Sequence, residues 1–131
     1  DNIFADPFII TKMLNITRSN KWIFITNVLK RTFPQGISVE IIKVSHLKEK
    51  IAFFDNYEKE HVMPYFYKNL SKERVFNYDN TGKKLSNVSL ALDTIKDFSF
   101  LSSIIDLMEK PHSKYNIDEI IDIIKVNKLC S

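Results

Sequence analysis

The stretch LALDTIKDF, residues 90–98, runs apolar until it meets an acid, then a hydroxyl residue, then a second acid three positions further on. Thr94 and Asp97 have the spacing of a capping box, in which the hydroxyl takes an N–H of the first helical turn and the acid reaches back to the cap. Capping has no use for Asp93. A carboxylate at the carboxyl end of a strand, just ahead of a helix, sits where open α/β sheets bind ligands. Asp1 would take a similar place if a strand precedes it. Two carboxylates converging from two strand ends suit Mg²⁺, which takes one or two protein carboxylates and completes its octahedron with water and phosphate oxygens. An acid at such a junction also serves as a solvated or capping residue, and the spacing alone leaves both roles open.

The elements that must position these acids alternate between two periodicities. KWIFIT (21–26) is β-branched and aromatic and reads as a buried strand, and ISVEIIKV (37–44) reads as another, entered through the Pro34-Gln35-Gly36 turn. RVFNY (74–78) and NVSLAL (87–92) are expected as strands separated by the turn around Gly82. Asp6 and Pro7 open a first helix with apolar Phe8, Ile9, Met13 and Ile16. Ser45 is expected to cap HLKEKIAFF, and Asp55 or Asn56 to cap YEKEHVMPYFYKN, where the interior Pro64 should kink or break the helix. Two more helices follow, from Thr94 to about Glu109 and from about Asn116 to Lys128, the second with an Ile117, Ile120, Ile121, Ile124 stripe. This alternation predicts an α/β layer architecture with a mixed sheet, because the strands around Gly82 are joined too closely for a crossover.

Composition narrows the function classes. The chain has 131 residues, 44% of them hydrophobic and 27% charged, as expected of a single domain with its own core. The net charge of +3 comes from dispersed lysines, with no basic run to mark a nucleic-acid or membrane patch. Cys130, the single cysteine, can form neither an internal disulfide nor a metal cluster, which fits a reducing compartment and makes the cytoplasm the expected location. The apolar stretches fall far short of the roughly 20 residues that span a bilayer. Gly36 and Gly82 are the only glycines, so no glycine-rich phosphate loop can be built here. The chain begins at Asp1, without an initiator Met and already inside a pattern, as a segment of a longer protein would.

Four ordered blocks, DNIFADP, NVLKRTFPQGISVEI, YEKEHVMPYFY and LALDTIKDF, resemble the C-terminal half of the spore-coat polysaccharide biosynthesis protein F family of cytidylyltransferases. That family is akin to the 3-deoxy-manno-octulosonate and acylneuraminate cytidylyltransferases. Its G-D-x-P-x-x-D-P, T-Y-P-x-G-x-x-V-E, E-H-V-T-P-Y and V-D-T-x-x-D segments fall on these blocks in the same order, across residues 1–109. The resemblance implies the C-terminal half of a nucleotide-diphospho-sugar transferase fold, Rossmann-like with a mixed sheet. It also implies transfer of CMP from CTP to a sugar or sugar acid for surface polysaccharide biosynthesis, with Mg²⁺ as cofactor.

By the same resemblance Asp1 and Asp93 hold the metal, Gln35 and Gly36 line the sugar side, and Glu60 and His61 contribute catalytic and sugar-binding groups. Each has a plainer role open to it. An acid and a histidine on a charged helix face are commonly solvated or bonded locally, Gly36 can be simply a turn residue, and Tyr65 and Tyr67 suit the core or the rim. The chain departs from the family at Ile3, where proline is usual, at Gln35, where arginine is frequent, and at Ser38, where aspartate is frequent. All three lie near the sugar side. The family's N-terminal NTP-binding loop has no counterpart in this sequence, so the chain alone is expected to be inactive and to offer a sheet edge or face that a second copy covers in a homodimer. Two other classes stay open: a binding or regulatory remnant without catalysis, and a glycosyltransferase of related architecture. The glycosyltransferase would carry a D-x-D at a strand end, whereas the acids of DEIID (118–122) are expected on a helix face.

Overall fold

The computed structural model describes residues 2–69, 74–81 and 85–129, so Asp1, Gly82 and Cys130 lie outside the described residues. In chain order the elements are α1 (Pro7–Thr17), β1 (Phe24–Thr26), β2 (Glu40–Ile42), α2 (Val44–Lys50), α3 (Asn56–Glu60), α4 (Met63–Asn69), β3 (Val75–Asn77), α5 (Ile95–Asp106) and α6 (Ile117–Val126). Single 3-10 turns follow α2 at Ile51–Phe53 and precede α6 at His112–Lys114. Among the described residues the sheet has the order β2-β1-β3, with β1 antiparallel to β2 and parallel to β3. It is the mixed α/β sheet that the alternation predicts.

The pleat sends alternate residues of β1 to two different cores. Ile25, with Ile41 and Phe76 beside it in register, faces the larger core, built from Ile9 and Met13 of α1, Leu101 and Ile104 of α5 and Ile120 and Ile121 of α6. Phe24, with Ile42 and Val75 beside it, faces a smaller aromatic core around Phe54 and Phe66. Thr26, Glu40 and Asn77 lie in register one step further along that second face, so the sheet's apolar surface turns polar at the carboxyl ends of β1 and β3.

Helix starts follow the local chemistry of the sequence. Asp6 caps α1 and Pro7 takes its first position, where no N–H is needed. Asp55 with Glu58, Thr94 with Asp97, and Asn116 with Glu119 each close a full capping box. Asp6 is buried and works twice: Oδ1 accepts from the N–H groups of Phe8 and Ile9 at 2.7 and 3.2 Å, and Oδ2 accepts from Ile117 N–H at 2.9 Å. The starts of α1 and α6 are thus held on one carboxylate.

Several boundaries differ from expectation. Ser45 does not cap α2; the helix begins two residues earlier, capped at Lys43, whose N–H is held by the Ile23 carbonyl at 2.9 Å as the sheet pairing ends. Pro64 does break its helix, and the outcome is two helices, α3 and α4, with Pro64 in the first turn of α4. The expected strand 37–44 shrinks to β2 because the buried Asn27 side chain takes the place of a partner strand, donating to the Ile37 carbonyl at 2.7 Å and accepting from Val39 N–H at 2.8 Å. The expected strand 87–92 is an extended segment joined to the rest by one parallel bridge, Gln35 to Ser89.

Candidate functional site

Gly36 is the joint on which the candidate site is built. Its φ of +84° lies in the left-handed region, and a Cβ there would stand 2.3 Å from the carbonyl carbon and oxygen of Leu90 and 2.5 Å from the Ala91 nitrogen. Only glycine lets the two backbones pass at this distance. On either side the contact is hydrogen-bonded, Gln35 N–H to the Val88 carbonyl at 3.2 Å and Leu90 N–H to the Gln35 carbonyl at 2.8 Å. The Gln35-Gly36 turn is therefore fixed to the segment that ends in Asp93 three residues later.

At that end the capping is carried by Thr94 and Asp97. Asp97 Oδ2 accepts from the Thr94 hydroxyl and N–H, both at 2.8 Å, and from Asp93 N–H at 3.2 Å, while Asp97 N–H returns to the Thr94 hydroxyl at 3.2 Å. The Thr94 hydroxyl, then the two N–H groups, hold the Asp97 carboxyl below the ordinary carboxylate range. Asp93 lends the box its backbone and lies exposed at the surface. Beside it, Ile3 and Leu92 line one cleft with Phe98 and Ile105 of α5. The residue two positions after Asp1 and the residue just before Asp93 thus share a cavity wall, although Asp1 itself lies outside the described residues. Among the described residues no three metal-ligating side chains gather. An exposed carboxylate at a chain junction suits Mg²⁺, whose coordination needs only one or two protein oxygens.

Glu60 and His61 occupy the exposed corner between α3 and α4. His61 ends α3, its ring 4.8 Å from the ring of Tyr57 and its Nε2 3.8 Å from Glu60 Oε1. The structure therefore joins Gln35 and Gly36 to the Asp93 segment and sets Glu60 and His61 on a different element.

A second polar cluster was not found by reading the sequence. At the carboxyl end of β1 the Val28 N–H donates to the Thr26 hydroxyl at 3.0 Å, the Thr26 hydroxyl meets the Tyr67 hydroxyl at 2.8 Å, and Tyr67 donates to Glu40 Oε1. Burial, and then the Glu40 carboxylate beside it, push the Tyr67 phenol well above its usual range, so it remains a neutral donor. Next to this chain, a cleft of about 320 Å³ is lined by Phe24, Leu29, Phe66, Tyr67, Lys68 and Asn77. The available signal was the step from apolar Phe24-Ile25 to polar Thr26-Asn27 at a strand's carboxyl end, the same step that singles out Asp93.

A mixed sheet between two cores, with polar side chains gathered at the carboxyl ends of its parallel strands, defines an α/β fold with a ligand-binding edge. The fold is that of a cytidylyltransferase. A solved cytidylyltransferase from Leptospira borgpetersenii serovar Hardjo-bovis (strain JB197) superposes with a TM-score of 0.87 at 30% sequence identity, over 98% of this chain and 54% of that one. The chain thus spans about half the length of the structure it matches. No family model and no curated protein matches the sequence.

Proposed function

We propose that this chain forms the sugar-side half of a cytidylyltransferase, which moves CMP from CTP to a sugar or sugar acid destined for a surface polysaccharide. The observation that carries the reading is the close passage of Gly36 over Leu90–Ala91, which ties the Gln35 turn to the segment bearing Asp93 in a chain that superposes on a cytidylyltransferase. Asp93 and Asp1 would hold Mg²⁺, which when bound offsets charge on the phosphate oxygens of CTP. Ile3 and Leu92, lining one cleft, support pairing those two acids.

The chain's own residues then position the acceptor. Glu40, fixed by Tyr67, keeps a carboxylate oriented toward sugar hydroxyls, and Gln35 and Gly36 present the turn on which the sugar rests. His61 and Glu60, on the separate corner between α3 and α4, would supply the acid–base groups once the second half of the fold closes over the sugar. Positioning of this kind supplies most of the rate in a displacement at phosphorus, where the protein forms no covalent bond. The activity belongs to a protein carrying both halves of the fold, in a reducing cytoplasm. No helix among the described residues is long and apolar enough to cross a membrane.

The test is CTP-dependent formation of a CMP-sugar by the intact protein, assayed with 3-deoxy-manno-octulosonate and N-acetylneuraminate. His61→Ala is expected to lower turnover and leave the melting temperature nearly unchanged. A fall of several degrees with normal kinetics would return His61 to a structural role.

A further inference from the structure

At the opposite end of β1 lies a cavity that the nucleotidyl-transfer reading does not use. It measures about 220 Å³, is walled by Ile23, Tyr65 and Phe66, and takes its polar lining from His46, Lys50, Asn69 and Arg74. His46 and Lys50 stand one turn apart on α2 and so share a face. Arg74 enters from the residue before β3, its carbonyl held by Ile23 N–H at 3.0 Å. Three basic residues thereby line one space from elements joined through the sheet.

No acid among the described residues balances these charges closely. Among the described residues neither Lys50 nor Arg74 has an ion-pair partner, and Glu49 meets His46 Nδ1 only at 3.7 Å, from a side chain that is 66% exposed. The Asn69 amide gives one of its two N–H donors to the Tyr65 carbonyl at 2.7 Å, so the charged donors of the site are Lys50 and Arg74. His46 is 18% exposed and its ring lies 5.9 Å from Phe66, so the histidine stands against an aromatic wall, Lys50 is half-buried beside it, and Arg74 reaches the site from an exposed position. Gathering like charges costs free energy unless an anion offsets them. A guanidinium with its planar fork and an ammonium with a compact charge together match a phosphate group better than a monovalent anion.

We propose that this cavity binds the phosphate group of a small molecule, with Lys50 and Arg74 as its charged ligands and His46 as a third donor. The site lies at the amino ends of β1 and β3, whereas the Thr26–Tyr67–Glu40 chain occupies the carboxyl end of β1, so the proposal stands independently of the transferase reading. Titration calorimetry on the full chain in Mg²⁺-free chloride buffer would use inorganic phosphate, diphosphate and glucose 6-phosphate as probes. One saturable site is expected, weakened at least about tenfold in Lys50→Gln and separately in Arg74→Gln, and unchanged in Lys12→Gln and in Asp93→Asn. The ring resonances of His46 should move on binding while those of His112 stay in place. Tighter binding of glucose 6-phosphate than of inorganic phosphate assigns the site to a phosphorylated metabolite, and equal binding assigns it to free phosphate. Absence of saturable binding by all three probes would overturn the proposal. So would binding equal to that of the parent chain in both cation variants, or binding lost in Asp93→Asn.

Discussion

Gly36 is the residue on which the candidate site depends most. Alanine there would have to hold a φ of +84° and place a Cβ 2.3 Å from the Leu90 backbone, so either the turn or the segment leading to Asp93 must move. Gly36→Ala is expected to cost roughly 1–3 kcal/mol in denaturant unfolding and to shift the amide resonances of residues 88–93. An unchanged midpoint would mean that the two backbones are not locked together. Asp6 is a second such residue, because one buried carboxylate serves three N–H groups. Asp6→Ala removes the cap of α1 and leaves the Ile117 N–H unpaired, with an expected loss of about 2–4 kcal/mol. The capping half of its role is readable from Asp6-Pro7 in the sequence. The bond to Ile117 is not, since it joins residues 111 positions apart. Tyr67 was hidden for the same reason: its partners Thr26 and Glu40 lie 41 and 27 positions away.

Helix starts could be read from the sequence because a cap is a contract among four neighbouring residues. Asp6 and Thr94 cap where expected, Asp55 takes the cap left open between it and Asn56, and the last helix starts at Asn116 as expected. Ser45 fails because the sheet pairing sets the start of α2 at Lys43. Strand lengths could not, since a strand ends where its partner does, and here the Asn27 side chain replaces a partner for Ile37 and Val39. The boxes make a prediction about pH. In α5 the carboxyl of Asp97 is lowered, first by the Thr94 hydroxyl; in α6 that of Glu119 is lowered, first by Lys110 and then by Asn116 N–H. In the folded state both groups take up protons less readily than in the unfolded chain. The stabilisation they give is therefore complete above the ordinary carboxylate range and is lost as the pH falls through the lowered folded values. Helix content followed by circular dichroism should fall on acidification below about pH 4, and the Asp97→Asn, Glu119→Gln double variant should show a shallower fall from a less stable start. An identical acid limb in parent and variant would remove the boxes as its cause.

At the scale of the molecule, the chain exposes 8545 Å², against the about 7,200 Å² expected of a compact monomer of its mass. Part of the excess is apolar: Phe98 and Ile105 of α5, 60 and 45% exposed, line a cleft with Ile3 and Leu92, and Ile95 at the start of the same helix is 86% exposed. Such a surface favours association. Sedimentation is expected to show dimer growing with concentration in the chain by itself, and mostly monomer for Phe98→Glu; a monomer at every concentration would contradict the homodimer expectation. The same α5 start carries Asp93, the carboxylate on which the proposed metal site rests. The direct test is Mg²⁺-dependent release of diphosphate from CTP by the intact protein in Asp93→Asn, with unfolding measured on the same sample. Loss of the activity with stability held within about 0.5 kcal/mol is the predicted result, and undiminished activity would contradict the account by returning Asp93 to the helix start.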